Sequence, residues 1–123
     1  MNVVALIGHL TRPAEQRVLP SADRPIELQV TTARESARAE TVPVVWFDPP
    51  ASAANLDVDE TVVVVGRVRR RFFRAGGATQ SRTEVVATSV VPARLARRAR
   101  RIMAHAFAVA DEAAEVELTA PVG

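Results

Sequence analysis

Short segments rich in β-branched residues, separated by turn residues, restrict the fold of the first 91 residues more than any other feature. Five such segments span residues 2–10, 26–33, 41–47, 61–73 and 83–91, and the fourth contains four consecutive valines. No segment between them has the length and spacing of a long helix. Short strands separated by turns are typical of a small all-β barrel or sandwich.

The predicted strands contain two residues that interrupt regular pairing. Gly8 indicates a bulge or a bend, and Pro43 indicates an edge position or a bulge, because proline has no amide hydrogen to donate. Residues 48–60 have room for a turn or a short helix, and residues 74–81 form a predicted loop in which the pair Gly76–Gly77 suits a hairpin turn. Five strands in about 90 residues favour a five-stranded barrel of the OB type.

The periodicity of apolar residues changes after Pro92 and becomes that of a helix. An Arg-rich amphipathic helix is predicted over residues 92–114, followed by a short tail over residues 115–123. The apolar positions at helical spacing are Leu95, Ala99, Ile102, Ala106, Val109 and Ala113. Arginines near the start and acids near the end oppose the helix macrodipole, so this stripe must pack on the barrel or on a second copy of the chain. The arginines could contact phosphate, promote oligomerisation or reflect composition alone, and oligomerisation is the favoured interpretation.

The composition excludes several classes of site. The chain contains no cysteine and only two histidines, His9 and His105, so disulfides, thiol nucleophiles and metal centres are not expected. No Ser/His/Asp arrangement or carboxylate pair indicates an active site, and neither an enzyme, a cofactor nor a small-molecule substrate is predicted. No basic segment precedes the first apolar run, and no run reaches the ~18 apolar residues of a membrane span. A soluble cytoplasmic domain without a membrane partner is therefore expected.

Basic residues are concentrated in one part of the chain, although the net charge is only +2. Residues 62–104 contain eleven arginines and one acid, Glu84, for a formal charge of +10, whereas residues 1–61 and 105–123 each carry −4. All sixteen basic residues are arginine. A GC-rich coding sequence would explain the preference for arginine over lysine but not this clustering. A basic block between acidic segments is typical of a surface that binds a polyanion.

The segment GRVRRRFF, residues 66–73, places arginines on one side of a strand, because successive side chains point to opposite faces. One face carries Arg67, Arg69, Arg71 and Phe73, and the other carries Val62, Val64, Val68 and Phe72. No carboxylate lies among these arginines on the strand, whereas a solvated face would normally mix charges of both signs. Cations that follow phosphates, beside rings that stack on bases, are what a groove for single-stranded nucleic acid requires.

Three segments resemble the sequence motifs of bacterial single-stranded DNA-binding proteins. NVVALIGHLTRPAEQR at residues 2–17 is similar to the family's opening strand, and VVVVGRVRRRFF at 62–73 and TEVVATSV at 83–90 are similar to two later segments. The resemblance covers roughly residues 2–91 and keeps the family's order. It implies that residues 1–91 form an OB-fold domain that binds single-stranded DNA. It also implies assembly into a homo-oligomer, either a tetramer or a dimer.

The resemblance further implies which side chains contact DNA. Phe73 occupies the position of a family tryptophan, Arg69 and Arg71 occupy the positions of two arginines, and Phe47 occupies that of a stacking phenylalanine. The complete set of expected DNA-binding residues is Arg67, Arg69, Arg71, Phe73, Arg74, Phe47 and Arg34. If Phe47 faces the DNA, alternation along the strand predicts that Trp46 faces the core.

Departures from the family pattern leave a second function open. Thr41 stands where the family has another tryptophan, and Trp46 is the only tryptophan of this chain. Fewer stacking rings predict a lower affinity at each site. The first hypothesis is sequence-tolerant binding of single-stranded DNA in replication, repair or recombination. The alternative is an OB-fold protein-interaction module, such as a primosome-type adaptor or an accessory paralogue, with a weakened DNA groove.

Overall fold

The computed structural model describes residues 1–17, 19, 21, 23–34 and 37–119, apart from the side chains of residues 34 and 37. The β-strands are β1 (Val4–Leu10), β2 (Glu15–Gln16), β3 (Ile26–Arg34), β4 (Ala37–Trp46), β5 (Thr61–Ala75) and β6 (Ala78–Pro92). One α-helix, α1 (Ala96–Thr119), follows the last strand. A short 3₁₀ helix over Ala51–Asn55 occupies the connection in which a turn or a short helix was predicted.

Five of the strands close into a barrel. Their order is β1–β5–β6–β4–β3, and β1 also pairs with β3 through His9 and Leu10, which closes the sheet on itself. The pairing of β4 with β6 is parallel, and the other pairings are antiparallel. The two-residue strand β2 extends the sheet beyond β3. The predicted all-β, five-stranded OB barrel with a C-terminal helix is confirmed.

The barrel interior is filled by alternate residues of the strands, as period-two side-chain orientation requires. The large apolar side chains with at most 1% of their surface exposed are Leu10, Leu28, Val30, Val44, Val62 and Val64. Trp46 is 6% exposed and belongs to the same core, as alternation beside Phe47 predicted. Each fully buried Val or Leu contributes roughly 1.5–3 kcal/mol to stability, so this cluster fixes which face of each strand remains outside.

The two irregular residues predicted in the strands have local explanations. The β1–β5 register passes through Gly8 without a bulge, and a Cβ atom at Gly8 would overlap the Thr31 carbonyl of β3. Gly8 therefore permits the close approach that closes the barrel. Pro43 pairs with Gln29 of β3 but precedes the segment of β4 that pairs with β6. It thus occupies a one-sided position on its strand, where a missing amide hydrogen costs little.

The strands β5 and β6 are longer than predicted. The segment predicted as an eight-residue loop contains only a two-residue turn, Gly76–Gly77, and both glycines have positive φ, 60° and 79°. Such a turn matches the twist of a hairpin and needs residues that tolerate positive φ. Residues 69–75 and 78–84 pair with each other and with no other strand among the described residues. They form a two-stranded projection beyond the barrel, which we call the hairpin arm.

The helix α1 packs across the outside of β5 and β6. Ala99 is buried against Val63 and Val91, and Ile102 and Met103 cover the edge of this second cluster. The helix begins at Ala96 rather than at residue 92, and it continues through Thr119 into the segment predicted as a tail. The N-terminal ammonium of Met1 lies 2.7 Å from a carboxylate oxygen of Glu117, which holds the extra turn beside β1.

Candidate nucleic-acid interface

The register between β5 and β6 places Glu84 of β6 on the arginine face of β5. Val65 pairs with Ser89 and Gly66 pairs with Ala87, so Thr88 is the extra residue of a β-bulge. Beyond the bulge, Arg69 lies directly opposite Glu84. Residues directly opposite each other in an antiparallel pair project to the same face of the sheet. Glu84 therefore shares the outer face with Arg69.

Glu84 supplies the carboxylate that β5 itself lacks. It is 1% exposed, and its Oε1 accepts a hydrogen bond from Arg71 Nε at 2.8 Å while its Oε2 lies 3.4 Å from Arg69 Nη2. The expectation that this basic face contains charges of one sign only was wrong. It was based on a single strand, whereas the carboxylate comes from the next strand. One buried carboxylate holding two guanidinium groups leaves a net local charge of +1.

Phe47 lies immediately after β4 and contacts the same cluster. The guanidinium carbon of Arg69 is 5.4 Å from the centre of the Phe47 ring, within the range of a cation–π interaction. Phe47 is partly exposed, whereas the neighbouring Trp46 is in the core. The Nε atom of Arg69 is buried and has no hydrogen-bond partner among the described residues. Phe47 thus covers one side of Arg69 while keeping part of its ring accessible to solvent.

A concave surface, which we call the outer groove, runs between these residues and the segment around β2 and β3. Its lining residues are Arg17, Leu19, Pro25, Glu27, Val45, Phe47, Arg69, Arg71 and Glu84. On the far wall, Arg17 Nη1 donates a hydrogen bond to Glu27 Oε1 at 2.8 Å. The groove therefore contains apolar side chains and the Phe47 ring, with Arg17 on one side and Arg69 and Arg71 on the other.

Phe73 and Arg74 both belong to the hairpin arm, but their side chains lie on opposite faces of it. The guanidinium carbon of Arg71 is 5.3 Å from the centre of the Phe73 ring, so Phe73 continues the row formed by Phe47, Arg69 and Arg71. Arg74 has the opposite parity on β5 and donates a hydrogen bond to the Gly77 carbonyl at 3.0 Å. Arg74 consequently braces the turn at the tip of the arm rather than joining the row.

The remaining two predicted site residues are Arg67 and Arg34. Arg67 is exposed on the same face of β5, but it lines a separate cleft beside α1, together with Asn2, His105 and Val109. Arg34 is the last residue of β3, and its side chain lies outside the described part of the structure. The structure therefore brings together four predicted residues: Phe47, Arg69, Arg71 and Phe73.

The exposure of the opposite face of the hairpin arm to solvent was not predicted from the sequence. Val68 and Phe72 share parity with the core residues Val62 and Val64, yet Phe72 is 65% exposed, because this part of β5 projects beyond the barrel. The guanidinium carbon of Arg70 lies 5.8 Å from the centre of the Phe72 ring. The signal was present, since Arg70 shares parity with Phe72 and a core face does not carry an unpaired arginine.

The sequence profile of the single-strand binding protein family matches residues 1–93, which comprise the entire barrel. The chain belongs to the single-strand binding protein family. The resemblance found in three short segments thus extends over the whole domain, and membership indicates that this family member binds single-stranded DNA. A search of curated proteins returned no match. Within the described residues, no helix combines the length and the apolar character needed to cross a lipid bilayer.

Proposed function

We propose that this member of the single-strand binding protein family binds single-stranded DNA, without sequence preference, along the outer groove and the hairpin arm. The observation that carries the proposal is a row of four side chains on one outer face, in the order Phe47, Arg69, Arg71, Phe73. Each ring of the row lies 5.3–5.4 Å from a guanidinium carbon. A row of rings and cations offers stacking to bases and charge to phosphates at the same time.

The two kinds of side chain have separable roles in this proposal. A base stacked on Phe73 or Phe47 contributes about 1–3 kcal/mol whatever the base, because every base has a π-face. Each phosphate held by an arginine releases counterions and contributes about −0.7 to the slope of log affinity against log salt concentration. Glu84 orients the guanidinium groups of Arg69 and Arg71 and limits their net charge. Arg67, on the same face of β5, would extend the charge at one end of the row.

The proposed role is non-catalytic protection or presentation of single strands during replication, repair or recombination, by a homo-oligomer. Sequence-tolerant stacking and charge suit a protein that must cover any exposed strand. The motif resemblance and the family membership support this role, and the exposed apolar residues of β1 and α1, such as Ile7 and Phe107, are consistent with contacts between copies.

A titration of fluorescently labelled oligo(dT) tests the proposal. The expected result is tight binding at low salt, similar affinity for other unstructured strands, and affinity that falls linearly in a log–log plot against salt. A duplex of the same length is the control and should bind more weakly. Absence of binding at low salt, or a slope near zero, would contradict the proposal.

One observation favours the alternative of a protein-interaction module. Glu84 neutralises part of the charge that DNA would use, and only Phe47 and Phe73 supply rings in the row. In that case the wild-type protein would bind oligo(dT) weakly at every salt concentration. Substitution of Arg69 and Arg71 would then leave the binding of a purified protein partner unchanged. The same titration therefore separates the two functions.

A further inference from the structure

The basic and acidic residues of α1 lie in opposite halves of the helix. The first half contains Arg97, Arg98, Arg100 and Arg101, and the second half contains Asp111, Glu112, Glu115 and Glu117. Glu117 pairs with the N-terminal ammonium, but the other seven form no ion pair with any residue that the structure describes. Cations at the start of a helix and anions at its end both oppose the macrodipole. The arrangement therefore destabilises an isolated α1.

The helix also exposes large apolar side chains away from the barrel. Phe107 is 66% exposed, Val116 is 68% exposed and Leu118 is 83% exposed, whereas Ala99 and Ala106 are buried on the barrel side. At 100° per residue, Phe107 and Leu118 lie within about 20° of each other around the helix axis. Arg100 and Asp111 fall on the same stripe by the same spacing. Along this stripe Phe107 lies between Arg100 on one side and Asp111 on the other, and Leu118 lies beyond the acid.

We propose that α1 pairs with α1 of a second copy of this chain in antiparallel orientation, about a two-fold axis at Phe107. Two residues then face each other when their numbers add to about 214. Arg97 faces Glu115, Arg101 faces Glu112, and Phe107 faces its own copy. The arginine half of each helix meets the acidic half of the other, so each unfavourably placed charge gains a partner of opposite sign.

The antiparallel orientation follows from the charges. A parallel pair would place arginines beside arginines and acids beside acids, which is unfavourable at both ends. A two-fold axis perpendicular to the helices also makes the contact self-complementary, as closed dimers require. Phe107 at the axis supplies the apolar centre that interfaces of this kind bury.

A single-stranded nucleic acid is the competing occupant of this helix, and the observations favour a second copy. Nucleic acid would be attracted to the arginine half but repelled by Asp111, Glu112 and Glu115. It would also leave Leu118, among those acids, exposed to water. The antiparallel pair accounts for both halves and for the apolar stripe. The inference does not depend on the outer groove, which lies on the barrel and the hairpin arm.

Charge reversal provides the first test. One variant carries Arg100→Glu with Arg101→Glu and has an acidic helix, and the other carries Asp111→Arg with Glu112→Arg and has a basic helix. Light scattering at low salt should give half the wild-type mass for each variant alone and the full mass for an equimolar mixture. Both double substitutions replace exposed residues of α1 and place charges that the helix macrodipole favours, so each variant should fold. Circular dichroism verifies this.

The mixture makes the test decisive. Unchanged mass in either single variant, or failure of the mixture to recover mass, would overturn the antiparallel pair. A wild-type mass equal to that of the monomer would overturn it as well. Weaker binding of a short oligo(dT) by the acidic variant, at unchanged mass, would assign these arginines to nucleic acid instead. None of these outcomes alters the titration of the outer groove.

Cysteine cross-linking tests the geometry, since the chain contains no cysteine of its own. Phe107→Cys should form a disulfide-linked dimer under mild oxidation, because residue 107 faces itself across the axis. Ala114→Cys is the matched control. In the antiparallel pair, its two copies are separated by fourteen residues of helix rise, about 21 Å, whereas a disulfide requires Cα atoms within about 7 Å. Cross-linking of Ala114→Cys, or none with Phe107→Cys, would contradict the proposed axis.

Discussion

At the scale of single residues, Glu84 decides how much positive charge the outer groove presents. Its carboxylate is buried between the guanidinium groups of Arg69 and Arg71. Removing one partner of a buried ion pair is usually costly, about 3–5 kcal/mol, because the other charge is left uncompensated. Here the two arginines are partly exposed, so solvent screens the loss and the cost is expected to be smaller.

Glu84→Gln should therefore increase the affinity for oligo(dT) at low salt while decreasing stability. The amide keeps the shape and an acceptor oxygen but gives up the negative charge, so both guanidinium groups become available to phosphates. We expect a steeper salt dependence, by about 0.7 in slope for each additional phosphate contact. Anisotropy titrations and chemical denaturation measure the two effects. Glu40→Gln, an exposed carboxylate outside the groove, is the control, and an unchanged slope in Glu84→Gln would refute this role of Glu84.

The two faces of the hairpin arm can be distinguished with two neighbouring rings. Phe73→Ala should weaken binding of oligo(dT) roughly 5- to 150-fold, the equivalent of about 1–3 kcal/mol of stacking, with the same salt slope. Arg71→Ala should instead reduce the slope by about 0.7. Phe72→Ala is the matched control, because Phe72 is more exposed but lies on the other face. A larger loss of affinity for Phe72→Ala than for Phe73→Ala would contradict this prediction and show that the DNA binds the Phe72 face of the arm.

Some of these residues could be predicted from the sequence and others could not. Alternation alone separates Trp46 from Phe47, since one strand is enough to apply it. The contact between Glu84 and Arg71 requires the register between two strands, which the bulge at Thr88 shifts by one residue. A bulge of this kind has no glycine to reveal it in the sequence, so the carboxylate could not be assigned to the basic face in advance.

At the scale of elements, the β5–β6 hairpin determines both the core and the arm. Its length was underestimated because the polar segment around Gly76 has the composition of a loop, whereas cross-strand pairing continues to Ala75 and Ala78. Backbone pairing tolerates polar residues wherever both faces of a hairpin are exposed to solvent. The extension of α1 beyond residue 114 was missed for a similar reason, since its last turn is held by Met1, which is distant in sequence.

The seam between β5 and β6 depends on Gly66. A Cβ atom at Gly66 would overlap the carbonyl oxygen of Val86, and neither backbone segment can move without disturbing the bulge. Gly66→Ala should decrease stability by about 1–3 kcal/mol, the usual cost of overpacking. Gly76→Asn is the control and should be nearly neutral, because asparagine tolerates the positive φ of this turn. Equal midpoints of chemical denaturation for wild type and Gly66→Ala would disprove the close approach.

Arg94, two residues before α1, forms an ion pair with Glu60, the residue before β5. The pKa of Glu60 is lowered mainly by a hydrogen bond from the Asp57 amide and further by the Arg94 guanidinium, while burial acts in the opposite direction. A lowered pKa in the folded state means that the carboxylate stabilises the fold above the ordinary pKa of about 4.5. That contribution is lost as the pH falls through the folded pKa.

Glu60→Gln should therefore flatten the decrease in melting temperature below about pH 4.5. Arg94→Ala should flatten it only in part, because the Asp57 amide still donates to the carboxylate. Thermal unfolding followed by circular dichroism between neutral and acidic pH measures both variants. An acid limb that is unchanged in Glu60→Gln would show that other groups control stability in this range.

At the scale of the whole molecule, the basic block of the sequence separates into two surfaces. Arg69 and Arg71 line the outer groove, whereas Arg97 to Arg101 lie on α1. Between them, Phe47 and Arg98 both line a shallow cleft, so the two surfaces adjoin on one side of the barrel. The sequence predicted a polyanion-binding block, but its division depended on how α1 packs across β5 and β6.

If two copies pair through α1, each dimer carries two outer grooves, and a strand long enough to reach both should bind with higher affinity. The second contact becomes intramolecular, and linkage of this kind typically adds 10²–10⁴ in affinity when the spacing allows it. We expect a long oligo(dT) to bind the wild type much more tightly than a short one that fills a single groove. The variant Arg100→Glu with Arg101→Glu should lose this difference while its affinity for the short strand stays the same.

Restoring the dimer should restore the preference for length. An equimolar mixture of this acidic variant with the basic variant Asp111→Arg with Glu112→Arg should again favour the long strand, since the helices of the mixed dimer are complementary. Anisotropy titrations with both strand lengths at one salt concentration measure the ratio directly. A length preference that persists in the acidic variant alone would contradict this prediction. It would mean that two copies are joined through their barrels, because the α1 pair is the only contact between copies that these substitutions remove.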